Sequence, residues 1–320
     1  MEKSKTRKGK KVLTIIAIIL GGIVLLNVIG FAVNKIFFAN ELQAVTPYGQ
    51  MVEVNGHKMH VFSMGSGEKT IVLLPGSGVS LPSADFGPLM RELSKEYTVV
   101  CVEYFGIGFS EQTDAPRTND NYTEEIRLAL SQAGFKAPYI LMPHSASGIY
   151  SEYYAANYPE EIFAIIMLDT TSTAVDAGGN LPKFVYNIAK LQQATGLTRL
   201  TMGLVPSTQK IENGYTEKEI SDYKLFNYHV LNDNMIDQSY RMIENINAAK
   251  ALPFPQDIPV LKIMTTQSVK RVGQQYQTDH LARLGTNTES IMIESTHFMY
   301  QTNVMDIVGA TNKFIDKQEN

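Results

Sequence analysis

An apolar run from Tyr139 to Met142 leads directly into Pro143-His144-Ser145-Ala146-Ser147-Gly148, and a helical pattern continues through Tyr153. A serine on a sharp turn between a strand and a helix projects its hydroxyl from the sheet, and it needs small neighbours two residues away on each side. The helix N-terminus behind it favours developing negative charge. Here Pro143 and Ser147 hold the two flanking positions, where glycine is usual. Taken alone, the stretch is better explained by an N-capping serine. A catalytic role for Ser145 therefore depends on the rest of the sequence around it.

Short apolar runs recur on both sides of this stretch, and each predicts a β-strand. They occupy residues 50–54, 58–64, 70–74, 97–102, 139–142, 164–168, 260–264 and 290–293. Asn55–Gly56 joins the first two and is typical of a two-residue hairpin turn. Helical patterns at 86–93 and 123–133 lie between strands, and Asn121 with Glu124 predicts a capping box for the second. This alternation predicts an α/β fold with a mostly parallel sheet covered by helices on both faces.

Residues 173–256 interrupt the alternation. They contain helical pieces, one of which begins at Thr216 with Glu219 three residues later, another capping-box pattern. Because the strand pattern resumes at Val260, we interpret the stretch as a helical lid inserted into a core of residues 46–172 and 257–320. The alternative is two or three amphipathic helices that bury their aromatic rings in a local core.

The N-terminal region has the features of a membrane anchor. Residues 12–34 carry no charge and are rich in Ile, Leu and Val. As a helix they extend roughly 33 Å at about 1.5 Å per residue, enough to cross the hydrocarbon core. A cleaved signal peptide is the alternative, but its apolar region is usually only about 7–15 residues long. Since residues 35–40 also hold no clean cleavage site, we predict an uncleaved transmembrane helix.

The tail before this helix predicts its orientation. Residues 1–11 hold six basic residues and one acidic residue. Basic residues beside a span favour the cytoplasmic side. We therefore predict a single-pass protein of the cell membrane, with a cytoplasmic N-terminus and the 286 residues after Asn34 outside the cytoplasm.

Charge and composition exclude several classes of protein. The chain has 28 basic and 32 acidic residues, so the part after residue 11 carries 22 basic and 31 acidic residues. A body that acidic is unsuited to nucleic-acid binding. The single cysteine, Cys101, excludes a disulfide framework and a cysteine-built zinc site. No His/carboxylate cluster or phosphate-binding loop is visible, so we expect neither a metal nor an organic cofactor.

Three further motifs follow strands. Leu74-Pro75-Gly76-Ser77-Gly78 comes after the third predicted strand, residues 103–110 form an acidic, glycine-containing turn after the fourth, and Ser295-Thr296-His297-Phe298 comes after the last. With the Ser145 turn, they make the chain resemble the α/β-hydrolase fold family over nearly all its length beyond the anchor. Pro75 stands where that family usually has a histidine. We take the turn at 103–110 as purely structural.

The resemblance implies roles for particular residues. Ser145 takes the position of the nucleophile and His297 that of the catalytic base. The backbone N–H groups of Ser77 and Ala146 take the position of the oxyanion hole. His144 also adjoins Ser145, but a neighbour on a tight turn is not expected to bring its imidazole onto that hydroxyl.

The acidic member of the triad departs from the family pattern. Its usual position, after the seventh strand, is held by Ser268, which cannot stabilise an imidazolium by charge. Asp169 ends the sixth strand, at the same sheet edge as Ser145 if the strands are parallel. Some members of the family carry their acid there, so we predict Asp169, with Glu294, three residues before His297, as the alternative.

These features predict a membrane-anchored serine hydrolase that cleaves an ester, thioester or amide through an acyl-enzyme on Ser145. The activity expected is carboxylesterase- or lipase-like, with a peptidase also compatible, on a small-molecule, lipid or peptide substrate. A second hypothesis is a non-catalytic binding or receptor protein of the same fold, which Ser268 in the acid's place favours. A small anchored interaction protein is a third, but it would not need the motifs at the strand ends.

Overall fold

The structure, a computed structural model, describes residues 2–175, 179 and 181–319, and for residues 2–10 it describes the backbone only. The side chains of the predicted basic tail therefore lie outside the described residues, except that of Lys11. The strands are β1 Gln50–Val54, β2 His57–Met64, β3 Thr70–Leu74, β4 Thr98–Val102, β5 Tyr139–Pro143, β6 Ile162–Leu168, β7 Val260–Thr265 and β8 Thr288–Ile293. The α-helices are α1 Glu2–Val33, α2 Pro82–Asp85, α3 Gly87–Leu93, α4 Asn119–Gln132, α5 Ser147–Asn157, α6 Lys183–Ala194, α7 Leu197–Met202, α8 Glu217–Asn227, α9 Asp233–Ala251, α10 Thr266–Val272, α11 Gln274–Leu284 and α12 Val304–Gln318.

The chain divides into two compact units. The first consists of Met1–Val45 and Lys183–Pro206, and it holds α1, α6 and α7. The second consists of Thr46–Pro182 and Ser207–Asn320, and it holds the remaining elements. The predicted lid, residues 173–256, contributes helices to both units, and its boundaries stay a prediction.

One eight-stranded sheet organises the second unit. Its strand order is β1-β2-β4-β3-β5-β6-β7-β8, with β1 and β2 antiparallel to their neighbours and all other pairs parallel. Every predicted strand is confirmed, and so is the hairpin, since Asn55 and Gly56 both have the positive φ that its turn requires.

Alternate residues of the central strands supply two apolar clusters, because successive side chains of a strand point to opposite faces. On β3, Val72 and Leu74 belong to the cluster covered by α4, α5 and α9. Ile71 and Leu73 belong to the cluster covered by α3 and α12. The predicted sheet with helices on both faces is therefore confirmed.

Two predicted helix starts have different outcomes. Thr216 caps α8, and the capping box with Glu219 is present. The predicted cap at Asn121 is wrong, because α4 begins one turn earlier and Thr118 is its cap. The earlier start is fixed by Asn119, whose backbone N–H and side-chain amide both bond to Asn245 of α9. That partner lies 126 residues away, so the local pattern could not reveal it.

The first unit contains one helical stretch, Lys11–Ala44, that is long and apolar enough to cross a membrane by length and composition. It comprises most of α1, a π-helix at Asn34–Phe38 and a 3-10 helix at Glu41–Ala44. The predicted span, residues 12–34, lies inside it.

A buried ion pair joins the middle of α4 to the segment before the helix. The guanidinium of Arg117 donates to both carboxylate oxygens of Glu125, and both side chains are almost fully buried. The guanidinium carbon lies 4.8 Å from the ring centre of Tyr122. Removing one member of such a pair leaves an uncompensated charge in the core.

We expect Arg117→Ala to lower the free energy of unfolding by about 3–5 kcal/mol, the range for breaking a buried pair. Lys95→Ala is the control, because Lys95 pairs with Glu92 at the surface, where such pairs contribute only about 0–1 kcal/mol. Urea unfolding of the detergent-solubilised chain, followed by circular dichroism, measures both. Equal losses in the two variants would contradict a structural role for the buried pair.

Candidate active site

Ser145 sits in a strained turn between β5 and α5. Its φ is +53°, in the left-handed region that residues other than glycine seldom adopt. Backbone hydrogen bonds on both sides hold this conformation, one from its N–H to the Leu168 carbonyl and one from the Thr171 N–H to its own carbonyl. A Cβ at Gly148 would lie 2.5 Å from Cβ of Thr170, so only glycine allows this close approach of α5 to the end of β6.

The loop after β3 runs against the same turn. A Cβ at Gly76 would lie 2.9 Å from Cβ of Ser145 and 2.7 Å from Nδ1 of His144. Among the described residues, neither the N–H of Ser77 nor that of Ala146 donates a hydrogen bond to another group. Ala146 is buried, and a buried N–H without an acceptor is rare in folded proteins. Two free donors, one directly after Ser145 and one on the loop that runs against its turn, match the chemistry of an oxyanion hole.

Ser147 replaces the glycine that is usual two residues after such a serine, and its contacts explain how it is accommodated. The side chain is fully buried. Its hydroxyl donates to the Pro75 carbonyl and accepts from the Tyr104 hydroxyl at 2.7 Å. Ser147 thereby ties the loop that carries Ser77 to the turn that carries Ser145.

His297 joins Ser145 to Asp169. Its Nε2 lies 2.9 Å from Oγ of Ser145, and its Nδ1 lies 2.6 Å from Oδ2 of Asp169. Because a carboxylate only accepts hydrogen bonds, Nδ1 carries the proton and Nε2 accepts from the serine hydroxyl. The structure therefore brings together the three side chains that the sequence singled out.

Asp169 is held by several donors at the end of β6. Its carboxylate accepts from the backbone N–H and the hydroxyl of Thr265 and from the hydroxyl of Ser268, as well as from His297. Burial alone would raise the pKa of Asp169, but the hydrogen bonds from His297, Ser268 and Thr265 hold that pKa below its ordinary value. The carboxylate is thus ionised and oriented, and Ser268, in the acid's usual position, serves as one of its donors.

Glu294, the alternative acid, is an exposed residue at the end of β8. Within the described part of the chain, no hydrogen bond or ion pair links it to His297. The carboxylate that contacts the imidazole is that of Asp169.

His144 has a contact that the sequence did not reveal. It is fully buried, and its Nε2 donates to the backbone carbonyl of His297 at 3.0 Å. Burial, with a smaller contribution from the neighbouring His297, lowers the pKa of His144 to about 3, so the ring is neutral. Its imidazole does not contact the Ser145 hydroxyl, as expected, and instead fixes the loop that carries His297.

The loop that carries His297 is also stabilised by a buried carboxylate, that of Asp85. Asp85 accepts from the hydroxyl of Tyr300 at 2.6 Å and from the amides of Gln209 and Gln301, both at 2.7 Å. Burial raises the pKa of Asp85 to about 6, although these hydrogen bonds oppose the shift. The ring of Tyr300 in turn packs 4.9 Å from that of His144.

The raised pKa of Asp85 gives a pH-dependent contribution to stability. Because the folded state favours the protonated carboxyl, the contribution is fully present below the ordinary pKa near 4 and is lost as the pH rises through about 6. We expect Asp85→Asn to gain stability relative to wild type between pH 4 and pH 7, by at most about 3 kcal/mol. Urea midpoints across that range measure the difference, with the exposed Asp114→Asn as control. Parallel curves for wild type and Asp85→Asn would contradict the raised pKa.

The described residues hold no group of three or more His, Cys, Asp or Glu side chains arranged to bind a metal ion.

Comparison with known proteins identifies relatives. The profile of the family described as alpha/beta hydrolase fold matches residues 69–320. The uncharacterized protein YbdG of Bacillus subtilis is 30% identical over 325 residues, covering 96% of this chain and 98% of that protein. The serine hydrolase BPHL of Homo sapiens is 27% identical over 147 residues, covering 45% of this chain and half of that protein.

Solved structures show the same fold. The epoxide hydrolase CorEH superposes with a TM-score of 0.64 at 20% identity, covering 84% of this chain and 98% of that one. An epoxide hydrolase from Bacillus megaterium has a TM-score of 0.64 at 19% identity, covering 83% of this chain and all of that one. At these identities the likeness concerns the fold alone.

Proposed function

The chain belongs to the α/β-hydrolase fold family, and on that premise we propose that it is a membrane-anchored serine hydrolase. Ser145 is the nucleophile, His297 the general base and Asp169 the acid that orients the base. The bonds attacked are those of esters, thioesters or amides, in a small-molecule, lipid or peptide substrate. The activity is of the carboxylesterase or lipase type, and the same mechanism is compatible with a peptidase.

One observation carries the proposal, the continuous hydrogen-bonded series from Ser145 Oγ through His297 to Asp169. An imidazole that donates through Nδ1 to an ionised carboxylate has Nε2 free to accept the serine proton. The N–H groups of Ser77 and Ala146 give further support. Ala146 directly follows the serine, the loop that carries Ser77 runs against the same turn, and neither N–H donates to another described group.

The reaction follows from this arrangement. As the Ser145 oxygen attacks the substrate carbonyl, its proton moves to Nε2 of His297, and Asp169 stabilises the resulting imidazolium. The negative oxygen of the tetrahedral intermediate accepts from the N–H groups of Ser77 and Ala146, each worth about 3–4 kcal/mol. His297 then protonates the leaving group. Water, activated by the same imidazole, hydrolyses the acyl-enzyme and restores the serine.

The proposal includes an orientation in the membrane. The apolar stretch within Lys11–Ala44 is the anchor. The six basic residues before it favour a cytoplasmic N-terminus. The hydrolase unit then lies outside the cytoplasm, tethered to the cell membrane.

The non-catalytic alternative loses its main support. It rested on Ser268 standing where the family's acid is usual. Since Oδ2 of Asp169 accepts from both Ser268 and His297, the imidazole has a carboxylate partner without an acid at position 268.

Reaction with a fluorophosphonate probe tests the assignment of Ser145. We expect wild type to label, Ser145→Ala to lose labelling, and His297→Ala to react about a thousandfold more slowly, within the usual range for loss of a general base. Glu294→Gln is the control and should label like wild type. A folded wild-type protein that does not label would overturn the hydrolase and leave the binding protein as the better account.

An exchange of acids tests the role of Asp169. Asp169→Asn should slow labelling about 10⁴-fold, as expected when an imidazole loses the carboxylate that sets its tautomer. The double variant Asp169→Asn/Ser268→Asp carries a carboxylate at the family's usual position for the acid. We expect it to label at least about tenfold faster than Asp169→Asn, because the new negative charge stabilises the imidazolium. Thermal unfolding of both variants checks the fold. Unchanged labelling in Asp169→Asn would contradict the assignment of the acid.

A further inference from the structure

The two helices α6 and α7 expose an apolar face. Phe184, Ile188 and Leu191 of α6 follow one another at spacings of four and three residues, which places them on one side of the helix. They are 62%, 51% and 56% exposed. Leu200 of α7 and Leu204, two residues after that helix, are 71% and 84% exposed. So many exposed large apolar side chains on neighbouring elements are typical of an interaction surface and not of a surface that faces water.

The turn between these two helices is docked on the end of the apolar span. The side-chain amide of Asn34 donates to the carbonyls of Gln193 and Ala194, the last two residues of α6. Nε of Arg199 donates to the Asn34 side-chain oxygen at 3.2 Å. Asn34, the last residue of the uncharged stretch, therefore has partners from both helices.

At Gly30, one turn before Asn34, the lack of a side chain lets the turn between α6 and α7 approach α1 closely. A Cβ at Gly30 would lie 2.5 Å from the carbonyl oxygen of Thr195, one of the two residues between α6 and α7. Gly30 and Asn34 are about 6 Å apart along the helix, given a rise of about 1.5 Å per residue. These two contacts lie at the end of the span, at the depth where a bilayer changes from hydrocarbon to headgroups.

The charges around this contact suit the surface of a membrane. Arg199 pairs with Glu41, and its guanidinium carbon lies 4.2 Å from the ring centre of Phe38. Residues 34–45 and 183–206 together hold four basic residues and one acidic residue, although the rest of the chain after residue 11 is acidic. Basic and apolar side chains side by side are typical of helices that lie in the interface of an anionic bilayer.

We propose that the pair α6–α7 is a membrane-surface element, whose apolar face enters the bilayer that holds α1. The inference rests on the proposed anchor and is independent of the chemistry at Ser145. The contacts with Gly30 and Asn34 hold the two helices at the surface of the bilayer. Lipid then covers the apolar face that begins with Phe184.

Depth-dependent fluorescence quenching tests this in the full chain. Cys101 is fully buried, so an environment-sensitive fluorophore attaches to a single introduced cysteine. The labelled variants are Ile188→Cys and Leu200→Cys on the apolar face, Leu26→Cys within the span, and Glu124→Cys on an exposed side of α4. Each is reconstituted in vesicles of phosphatidylcholine and phosphatidylglycerol, with or without lipids that carry a nitroxide high or deep in the acyl chain.

We expect the shallow nitroxide to quench at positions 188 and 200 about threefold more than at position 124, as for helices buried roughly 5–10 Å into the interface. Position 26 should respond to the deep nitroxide.

Quenching at 26 without quenching at 188 and 200 would overturn the inference and leave the anchor in place. A blue-shifted but unquenched label at 188 would mean that protein, such as a second copy, covers the face, and would also overturn it. No quenching at 26 would remove the anchor and this inference together, while fluorophosphonate labelling of the same samples reports on the hydrolase separately.

A matched pair of glycine variants tests the docking. Gly30→Ala should displace the helix pair and lower the shallow quenching at position 188, because its Cβ meets the Thr195 carbonyl. Gly22→Ala is the control, since its Cβ meets nothing within 4 Å. Unchanged quenching in Gly30→Ala would contradict docking on the anchor.

Discussion

The positive φ of Ser145 is the constraint on which the rest of the site depends. A non-glycine residue in that conformation costs roughly 1–3 kcal/mol, so the surroundings must enforce it. Here the enforcement comes from the parallel pairing of β5 and β6, since the Ser145 N–H bonds to the last residue of β6. The same pairing brings Asp169, also at positive φ, to the same edge of the sheet. Ser145 and Asp169 are therefore positioned by one pair of strands.

The loops that complete the site are fixed by buried side chains. Ser147 holds the loop after β3, His144 holds the carbonyl of His297, and Asp85 holds Tyr300 in the turn that follows. Each of these groups is buried and pairs a polar atom with a loop backbone or a loop side chain. Such contacts are strong in a low-dielectric interior, and they keep His297 within hydrogen-bond distance of Ser145.

The fold, and the meeting of Ser145, Asp169 and His297 at one edge of the sheet, could be predicted from local signals and from the family resemblance that those signals carry. Each strand is a short apolar run, and Ser145, Asp169 and His297 each follow such a run, so a parallel sheet brings them to one edge. The roles of His144, Ser147 and Asp85 could not be predicted in this way. Their partners lie 153, 72 and 215 residues away, and nothing in the local pattern identifies them. The cap of α4 was predicted wrongly for the same reason.

The central claim is that Ser145 forms an acyl-enzyme. The most direct measurement mixes the full chain with a series of 4-nitrophenyl esters, stops the reaction with acid and maps the modified peptide by mass spectrometry. The account predicts a burst of nitrophenol equal to the amount of enzyme, with the acyl group on Ser145. No burst together with an unmodified Ser145, or an acyl group on another residue, would contradict it.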